Sequence, residues 1–265
     1  MLLLYSPRWA AVDSARYPLC MRIHIFGQRG RLGSALTARL RDTPVTFTAP
    51  PEADAWVLAV PTAAAPALLA GAGGRAVIDL SGALKRQGGG RYGLLDASGR
   101  LLDGRPPSRG DRLANPGCFA SSVIVGLQQA GLSRALRGPL HVSAVGGAST
   151  AHKSQRGGLR LARRLTDHPH ADEVTRALPG ARVASFALMV AYAQSGGILA
   201  TVSGTCDPAV PLDAGQDTLD VDDVLGTPRV AHRVVRDGAA FTLAAALDNI
   251  VFPVENAARL VCALL

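Results

Sequence analysis

Two groups of residues in this 265-residue chain have types and spacings that suit chemistry. The first is Asn115-Pro116-Gly117-Cys118, followed by the apolar run from Phe119 to Leu127. It delivers a lone thiol to the start of a predicted helix, where unpaired backbone N–H groups and the positive end of the helix dipole stabilise a thiolate. Asn115 and Pro116 punctuate the approach, and Gly117 lets the backbone come close to a ligand. A cysteine in such a place, taken alone, is more often a small buried side chain. Here a second group changes the balance: His168-Pro169-His170-Ala171-Asp172-Glu173, ahead of a predicted helix from Val174 to Leu178. Pro169 biases its neighbours toward an extended backbone, so the two imidazoles should project to similar sides. A near-neutral histidine beside a carboxylate suits acid/base work for a cysteine enzyme. The same three side chains are of metal-ligating type, but no partner motif completes such a site, and no metal is expected.

These groups need a scaffold, and the first part of the chain reads as a dinucleotide-binding one. Arg22-Ile23-His24-Ile25-Phe26 alternates as a short strand, Gly27-Gln28-Arg29-Gly30-Arg31-Leu32-Gly33 follows as a turn, and Ser34 to Leu40 has a helical pattern. Glycines in such a turn let a pyrophosphate approach the helix N-terminus, where N–H groups face the anion. The spacing is GxxGxxG, which by itself is a weaker signal than GxGxxG. Ala55 to Val60 is a continuous apolar run suited to a buried parallel strand; Pro61 and an Ala/Leu-rich helix follow, then a further strand from Arg75 to Leu80. The alternation predicts a doubly wound parallel sheet whose ligand lies beyond the C-terminal strand ends, near Gly27, Pro61, Ser81 and Cys118. The second strand is the thin part: Pro44 to Thr48 and a Pro-rich turn carry no acidic residue at the strand end to grip a ribose. Arg29 and Arg31 are the nearest cations for a 2′-phosphate. Further on, His141 to Ser149 reads as a strand running into a glycine-rich turn at Gly146 and Gly147.

Composition bounds the rest. With 48% hydrophobic residues the chain can bury a substantial core, and the four cysteines (Cys20, Cys118, Cys206, Cys262) form no CxxC pair or disulfide framework, so a reducing, cytoplasmic setting is expected. The opening Met1-Leu2-Leu3-Leu4-Tyr5 is too short for a membrane span and lacks a basic leader, and residues 1 to 20 read as an extension ahead of the strand that starts after Met21. A net charge of +8 comes from scattered arginines, densest at Arg156, Arg160, Arg163 and Arg164; it reads as a solvated surface or as attraction for an anionic substrate, dinucleotide or acidic protein. Nucleic acid is not expected, since only 5% of residues are aromatic and no stacking platform is visible.

Taken in order, Gly27/Gly30/Gly33, Leu58-Ala59-Val60-Pro61, Val77-Ile78-Asp79-Leu80-Ser81, Asn115 to Cys118, Gly146-Gly147-Ala148, His168-x-His170-x-x-Glu173, Gly197-Ile198-Leu199-Ala200 and Asp248-Asn249-Ile250 resemble the landmarks of the N-acetyl-γ-glutamyl-phosphate reductase family, part of a wider group that includes aspartate-semialdehyde dehydrogenase. The resemblance implies that Cys118 attacks an acyl phosphate, phosphate leaves, and hydride from NADPH reduces the thioester to an aldehyde. It assigns His168 as general acid/base and His170, Glu173, Asn115 and Lys85 to the substrate, with Lys85 on the leaving phosphate. Gly27, Arg29, Gly30, Arg31, Leu32, Gly33, Pro61, Ser81, Gly146, Gly147 and Asn249 would line the cofactor, NADP, although the residues leave NAD open.

Departures from the family pattern are concentrated at the short second strand, at Gly196 where the family has a basic residue, and at Phe252-Pro253-Val254-Glu255-Asn256, which replaces a Lys-Gly-Ala-Ala-Gly stretch. The same reaction on a substrate attached to a small acidic carrier protein, in lysine or arginine biosynthesis, is the alternative; a catalytically lapsed dinucleotide-binding module is a third reading. The expected organisation is a Rossmann-like domain of residues 21–116 and 247–265, and an α+β catalytic and dimerisation domain of residues 117–246. The helix from Asn256 to Leu265 should return to the first domain on its Ala257/Leu260/Val261/Leu264 face. A homodimer or homotetramer is the assembly that the resemblance implies.

Overall fold

A computed structural model describes residues 21–96, 98–150, 159–161, 168–191 and 194–265. The extension 1–20 and the arginines at 156, 163 and 164 lie outside the described residues, as does the side chain of Arg160. The chain divides into two units: residues up to Pro116 together with Pro253–Leu265, and Gly117–Phe252. Residues 247–252, expected in the first domain, therefore belong to the second.

In the first unit β1 (Met21–Phe26), α1 (Arg31–Arg39), β2 (Val45–Phe47), β3 (Ala55–Leu58), α2 (Ala65–Gly71), β4 (Ala76–Asp79), α3 (Ala83–Gln87), β5 (Arg91–Tyr92) and β6 (Arg112–Ala114) follow one another. The strands form one six-stranded parallel sheet in the order β2-β1-β3-β4-β6-β5. Every side chain of β3 and β4 is buried, as parallel strands covered on both faces require. The strand order reverses between β1 and β3, which opens a crevice at their carboxyl ends. β2 is three residues long and pairs only with Met21, Arg22 and Ile23, so it stops three residues short of the end of β1.

The second unit holds α4 (Cys118–Gln129), β7 (Pro139–Gly147), β8 (Leu159–Leu161), α5 (Pro169–Ala177), β9 (Arg182–Ala191), β10 (Ile198–Thr205), β11 (Val230–Asp237) and β12 (Ala240–Leu247). Its sheet is mixed, in the order β11-β12-β10-β7-β9-β8, and only β7 and β9 pair in parallel. α4 is buried from Phe119 to Leu127. Its Gly126 meets the sheet so closely that a Cβ there would lie 2.7 Å from Ala245 Cβ. The two buried serines of this helix return their hydroxyls to its own carbonyls, Ser121 to Gly117 (3.0 Å) and Ser122 to Phe119 (2.8 Å).

The last helix, α6 (Val251–Ala263), starts five residues before its predicted start at Asn256. Asp248 explains the difference: its Oδ1 accepts the N–H groups of Ile250 (2.7 Å) and Val251 (2.8 Å), nucleating the first turn ahead of Pro253. From Pro253 onward the helix belongs to the first unit, where Ala257, Leu260, Val261 and Leu264 enter one core with Ile23, Ile25, Leu36, Val57 and Ile78. Arg39 on α1 grips Glu255 with two hydrogen bonds, 2.6 and 3.1 Å. The segment that departs from the family pattern is thus an anchor for the helix. Among the described residues no helix is long and apolar enough to cross a membrane.

Candidate active site

The glycine turn after β1 is shaped by close backbone approach. Gly27 has φ +82°, and a Cβ on it would be driven into the carbonyl of Ala59 at the end of β3; a Cβ on Gly33 would collide with the Gly27 carbonyl. The Gly30 N–H closes the turn onto the Gly27 carbonyl at 2.8 Å, and α1 then starts at Arg31 with no acidic residue in its first turn. A glycine cradle opening onto an uncapped helix N-terminus fits the diphosphate of a dinucleotide. Arg29 and Arg31 are exposed on this turn, and Leu32 packs inward against the core. The residues after β2 differ from a 2′-phosphate site: Thr48 donates its hydroxyl to Glu52 (2.8 Å), and Asp54 pairs with Arg22 (2.9 Å).

Pro61 follows β3 and opens a short 3-10 turn, and Thr62 ties that turn to the Ser81 carbonyl at 2.6 Å. Ser81 itself serves the loop after β4: its hydroxyl donates to the buried carboxylate of Asp79 and accepts the Ala83 N–H (3.2 Å), while Leu84 N–H also reaches Asp79 (2.8 Å). Ser81, expected to touch the cofactor, is thus engaged with the loop that leads into α3. Lys85 sits on that helix, in the first unit. Asn115, expected to touch substrate, is 3% exposed and is engaged inside the first unit, donating to the Pro253 carbonyl (3.2 Å) and accepting from Asn256 (2.8 Å). A carboxamide so placed ties the end of β6 to α6.

In the second unit Cys118 is the first residue of α4, half-buried, with Gly117 at the N-cap. Glu173, 4% exposed, comes across from α5 and accepts the Gly117 N–H at 2.8 Å with one carboxylate oxygen. Its other oxygen lies 3.8 Å from His170 Nε2. His170 lies against the same backbone: a Cβ on Gly117 would be 2.6 Å from its Nε2 and 2.9 Å from Glu173 Oε1. Gly117 has φ −73° and ψ 140°, a conformation open to any residue, so the absent side chain makes room for His170 and Glu173. A carboxylate, an imidazole and a thiol-bearing helix start thus share one backbone junction.

The two histidines are placed differently. Pro169 occupies the first helical position of α5, so the helix begins five residues earlier than its predicted start at Val174. His168 stays extended as the N-cap, and its Nδ1 accepts the His170 N–H at 3.3 Å. Its ring stacks on Phe186, centroids 5.5 Å apart and 17° from parallel. His168, expected as the general acid/base, stands at the start of a helix, and His170 is the imidazole that lies against Gly117. Phe119 (5.5 Å) and Phe186 (5.8 Å) flank the His170 ring. Neither aromatic was anticipated; the only sequence signal was that Phe119 follows Cys118 directly.

Gly146 and Gly147 end β7, and a Cβ on Gly146 would meet Phe119 and Thr150. Asn249, 6% exposed, accepts the Gly197 N–H (2.8 Å) and the Ser149 hydroxyl (3.0 Å) on its Oδ1, joining the ends of β7 and β10. A cavity of about 320 Å³ lies beside this junction, lined by Val145, Gly147, Gln194, Leu199, Asp220 and Asp222 among others. Among the described residues no group of three or more His, Cys, Asp or Glu side chains is arranged to hold a metal ion.

No family model matches the chain, and no curated protein matches it. Solved structures do. A probable aspartate-semialdehyde dehydrogenase of Pseudomonas aeruginosa superposes with a TM-score of 0.66 at 17% identity, over 91% of this chain and 97% of the other. An aspartate semialdehyde dehydrogenase II of Vibrio cholerae, complexed with ASA, gives 0.70 at 14% identity over 92% and 98%. The Candida albicans enzyme, solved with NADP, gives 0.62 at 9% identity over 92% and 98%. Over nearly its whole length the chain has the fold of the aspartate-semialdehyde dehydrogenases, a Rossmann-like parallel-sheet unit and a second unit built on a mixed sheet.

Proposed function

We propose that the protein is an NADPH-dependent reductase of an amino-acid acyl phosphate, working through a Cys118 thioester and releasing phosphate and a semialdehyde. The observation that carries this reading is the junction at Gly117, where the buried Glu173 and the half-buried His170 meet the backbone that leads into Cys118. In the proposed sequence the Cys118 thiolate attacks the acyl carbon, the carbon–oxygen bond to phosphate breaks, and phosphate departs with the electron pair. A nicotinamide dinucleotide, held by the Gly27–Gly33 cradle, supplies the hydride when bound. His170 protonates the oxygen of the resulting thiohemiacetal and then takes that proton back as the carbon–sulfur bond breaks, which regenerates the thiolate. Glu173 holds the imidazole and the Gly117 N–H together in the required geometry.

Within this class we favour an N-acylated substrate, N-acetyl-γ-glutamyl phosphate in arginine biosynthesis, on the order and spacing of the Cys118 and His168-x-His170-x-x-Glu173 motifs. The +8 net charge supports the alternative, the same chemistry on a glutamyl or aminoadipyl phosphate borne by a small acidic carrier protein. Self-association belongs to the same proposal. Thr201 and Ala244, and Ser203 and Thr242, form adjoining pairs of small side chains that keep some exposure on the second sheet and suit flat packing against a copy. A cytoplasmic setting is proposed with it. The test is the reverse reaction: phosphate-dependent reduction of NADP⁺ by N-acetylglutamate semialdehyde, with aspartate semialdehyde as comparison and NAD⁺ as the alternative oxidant. Turnover with neither aldehyde, together with a Cys118 inert to iodoacetamide near neutral pH, would remove the proposal.

A further inference from the structure

We propose that Glu52 sets cofactor choice in the first unit: its carboxylate takes the 2′-hydroxyl of an unphosphorylated adenosine ribose, so that the protein accepts NADH beside NADPH. The inference rests on the Gly27–Gly33 cradle holding a nicotinamide dinucleotide. In doubly wound sheets the ribose is read at the carboxyl end of the second strand, by a carboxylate about twenty residues past the glycine turn. Along the chain the segment Pro44 to Thr48 offers none, but folding brings one there. β2 ends at Phe47, and Thr48 extends its pairing by one hydrogen bond, from its N–H to the Ile23 carbonyl (3.0 Å). A three-residue 3-10 turn, Pro50–Glu52, then stands where such folds usually place a helix. It returns Glu52 to Thr48, whose hydroxyl donates to the carboxylate at 2.8 Å. Glu52, about twenty residues past Gly33, thus lies at the end of β2.

The turn that carries Glu52 is fixed by side chains from the sheet and from the start of β4. Trp56 donates its indole N–H to the Pro50 carbonyl (3.0 Å), and His24 Nδ1 donates to the Thr48 carbonyl (2.7 Å). Arg75 donates to the carbonyls of Pro51 (2.9 Å) and Ala53 (3.0 Å) while its guanidinium lies over the Trp56 ring. Glu52 itself is exposed, so a ligand can reach it. The cations beside this loop have other tasks: Arg22 donates through two nitrogens to Asp54 (3.3 and 2.9 Å), and Arg75 serves the backbone. A 2′-phosphate placed here would meet a carboxylate of like charge. A ribose hydroxyl would instead donate to that carboxylate in a charge-assisted hydrogen bond. Arg29 and Arg31, exposed on the glycine turn, supply positive charge that attracts a phosphate and keeps NADPH acceptable.

The test measures the dissociation constants of NADH and NADPH by nicotinamide fluorescence, on the full chain and on Glu52→Gln and Glu52→Ala. The glutamine variant keeps an acceptor for Thr48 and removes only the charge; the alanine variant removes the group altogether. Wild type should bind NADH within about tenfold of NADPH. Either substitution should weaken NADH and strengthen NADPH, moving the ratio of the two constants toward NADPH by about tenfold, the worth of one hydrogen bond to a charged group. Because Glu52 is exposed, both variants should melt close to wild type. A merely structural role would weaken the two nucleotides alike and leave their ratio unmoved. A wild-type preference for NADPH above about tenfold, or a ratio that moves by less than about threefold in both variants, overturns the inference alone. A wild type that binds neither nucleotide overturns the cradle instead, and with it the reading of the protein as a nicotinamide-dependent reductase.

Discussion

Replacing Gly117 by alanine adds one methyl group where the His170 and Glu173 side chains already stand. Its Cβ would lie 2.6 Å from His170 Nε2, 2.8 Å from His170 Cδ2 and 2.9 Å from Glu173 Oε1. Ordinary separations of these atoms are about 3.5 Å, so the imidazole and carboxylate must retreat by roughly 1 Å. The backbone itself accepts alanine at φ −73° and ψ 140°, and fewer unfolded conformations give a gain of about 0.4–1 kcal/mol. Against this stands the 2.8 Å bond from the Gly117 N–H to Glu173, whose loss costs about 1.5–3 kcal/mol for a charged acceptor. The net stability change is small, on the order of 1–2 kcal/mol. Catalysis should suffer more: a displacement of roughly 1 Å costs about 100-fold, or about 2.7 kcal/mol of barrier. The assay pairs kcat for phosphate-dependent NADP⁺ reduction with a thermal melt. Gly117→Ala that keeps wild-type kcat with an unchanged melt would refute the close approach of His170 and Glu173 to this backbone.

Other outcomes follow from the same geometry. His170→Asn should lower kcat by about 10²- to 10⁴-fold, whereas His168→Asn, which retains a good N-cap, should keep kcat within a few-fold of wild type. Gly27→Ala and Gly33→Ala should abolish NADPH binding in a fluorescence titration while Cys118 still alkylates, since both side chains would collide with backbone. At neutral pH iodoacetamide should spare Cys262, because burial pushes its thiol up to about 11, so modification of that residue at a rate matching Cys118 would contradict the packing of α6. The hydrogen bond from Arg91 holds the Asp103 carboxyl down at about 2. A depressed acid contributes stability above its unfolded value and loses it as pH falls through the folded one; Arg91→Gln should therefore flatten the loss of stability between about pH 4 and 2 in acid melts.

Sterics made the first unit readable from sequence. Glycines at 27, 30 and 33 after an alternating strand, and apolar runs at 55–60 and 75–80, have few structural meanings, and the parallel sheet realises them. The thiol at a helix start was legible for the same reason, since a glycine and an apolar run fix where α4 begins. What distance along the chain concealed was the division of labour among polar groups. Which histidine faces Gly117 depends on Pro169 starting a helix, and a proline is equally at home in an extended segment. The bonds of Asn115 within the fold were hidden because its partners, Pro253 and Asn256, are more than a hundred residues away. Nothing in a single sequence marks Asn256 as that partner. Glu255 likewise read as a break in a familiar pattern until its bidentate contact with Arg39 appeared.

The split of the first unit across the chain has a consequence for how the protein is made. Its core takes Val254, Ala257, Ala258, Leu260, Val261 and Leu264 from α6, all translated after the entire second unit. At about 5–20 residues per second, the parallel sheet waits some ten seconds or more on the ribosome with an apolar face uncovered, a surface for chaperones to hold. Nascent chains arrested before residue 253 should be recovered with chaperones bound, and release of α6 should be the event that lets them go.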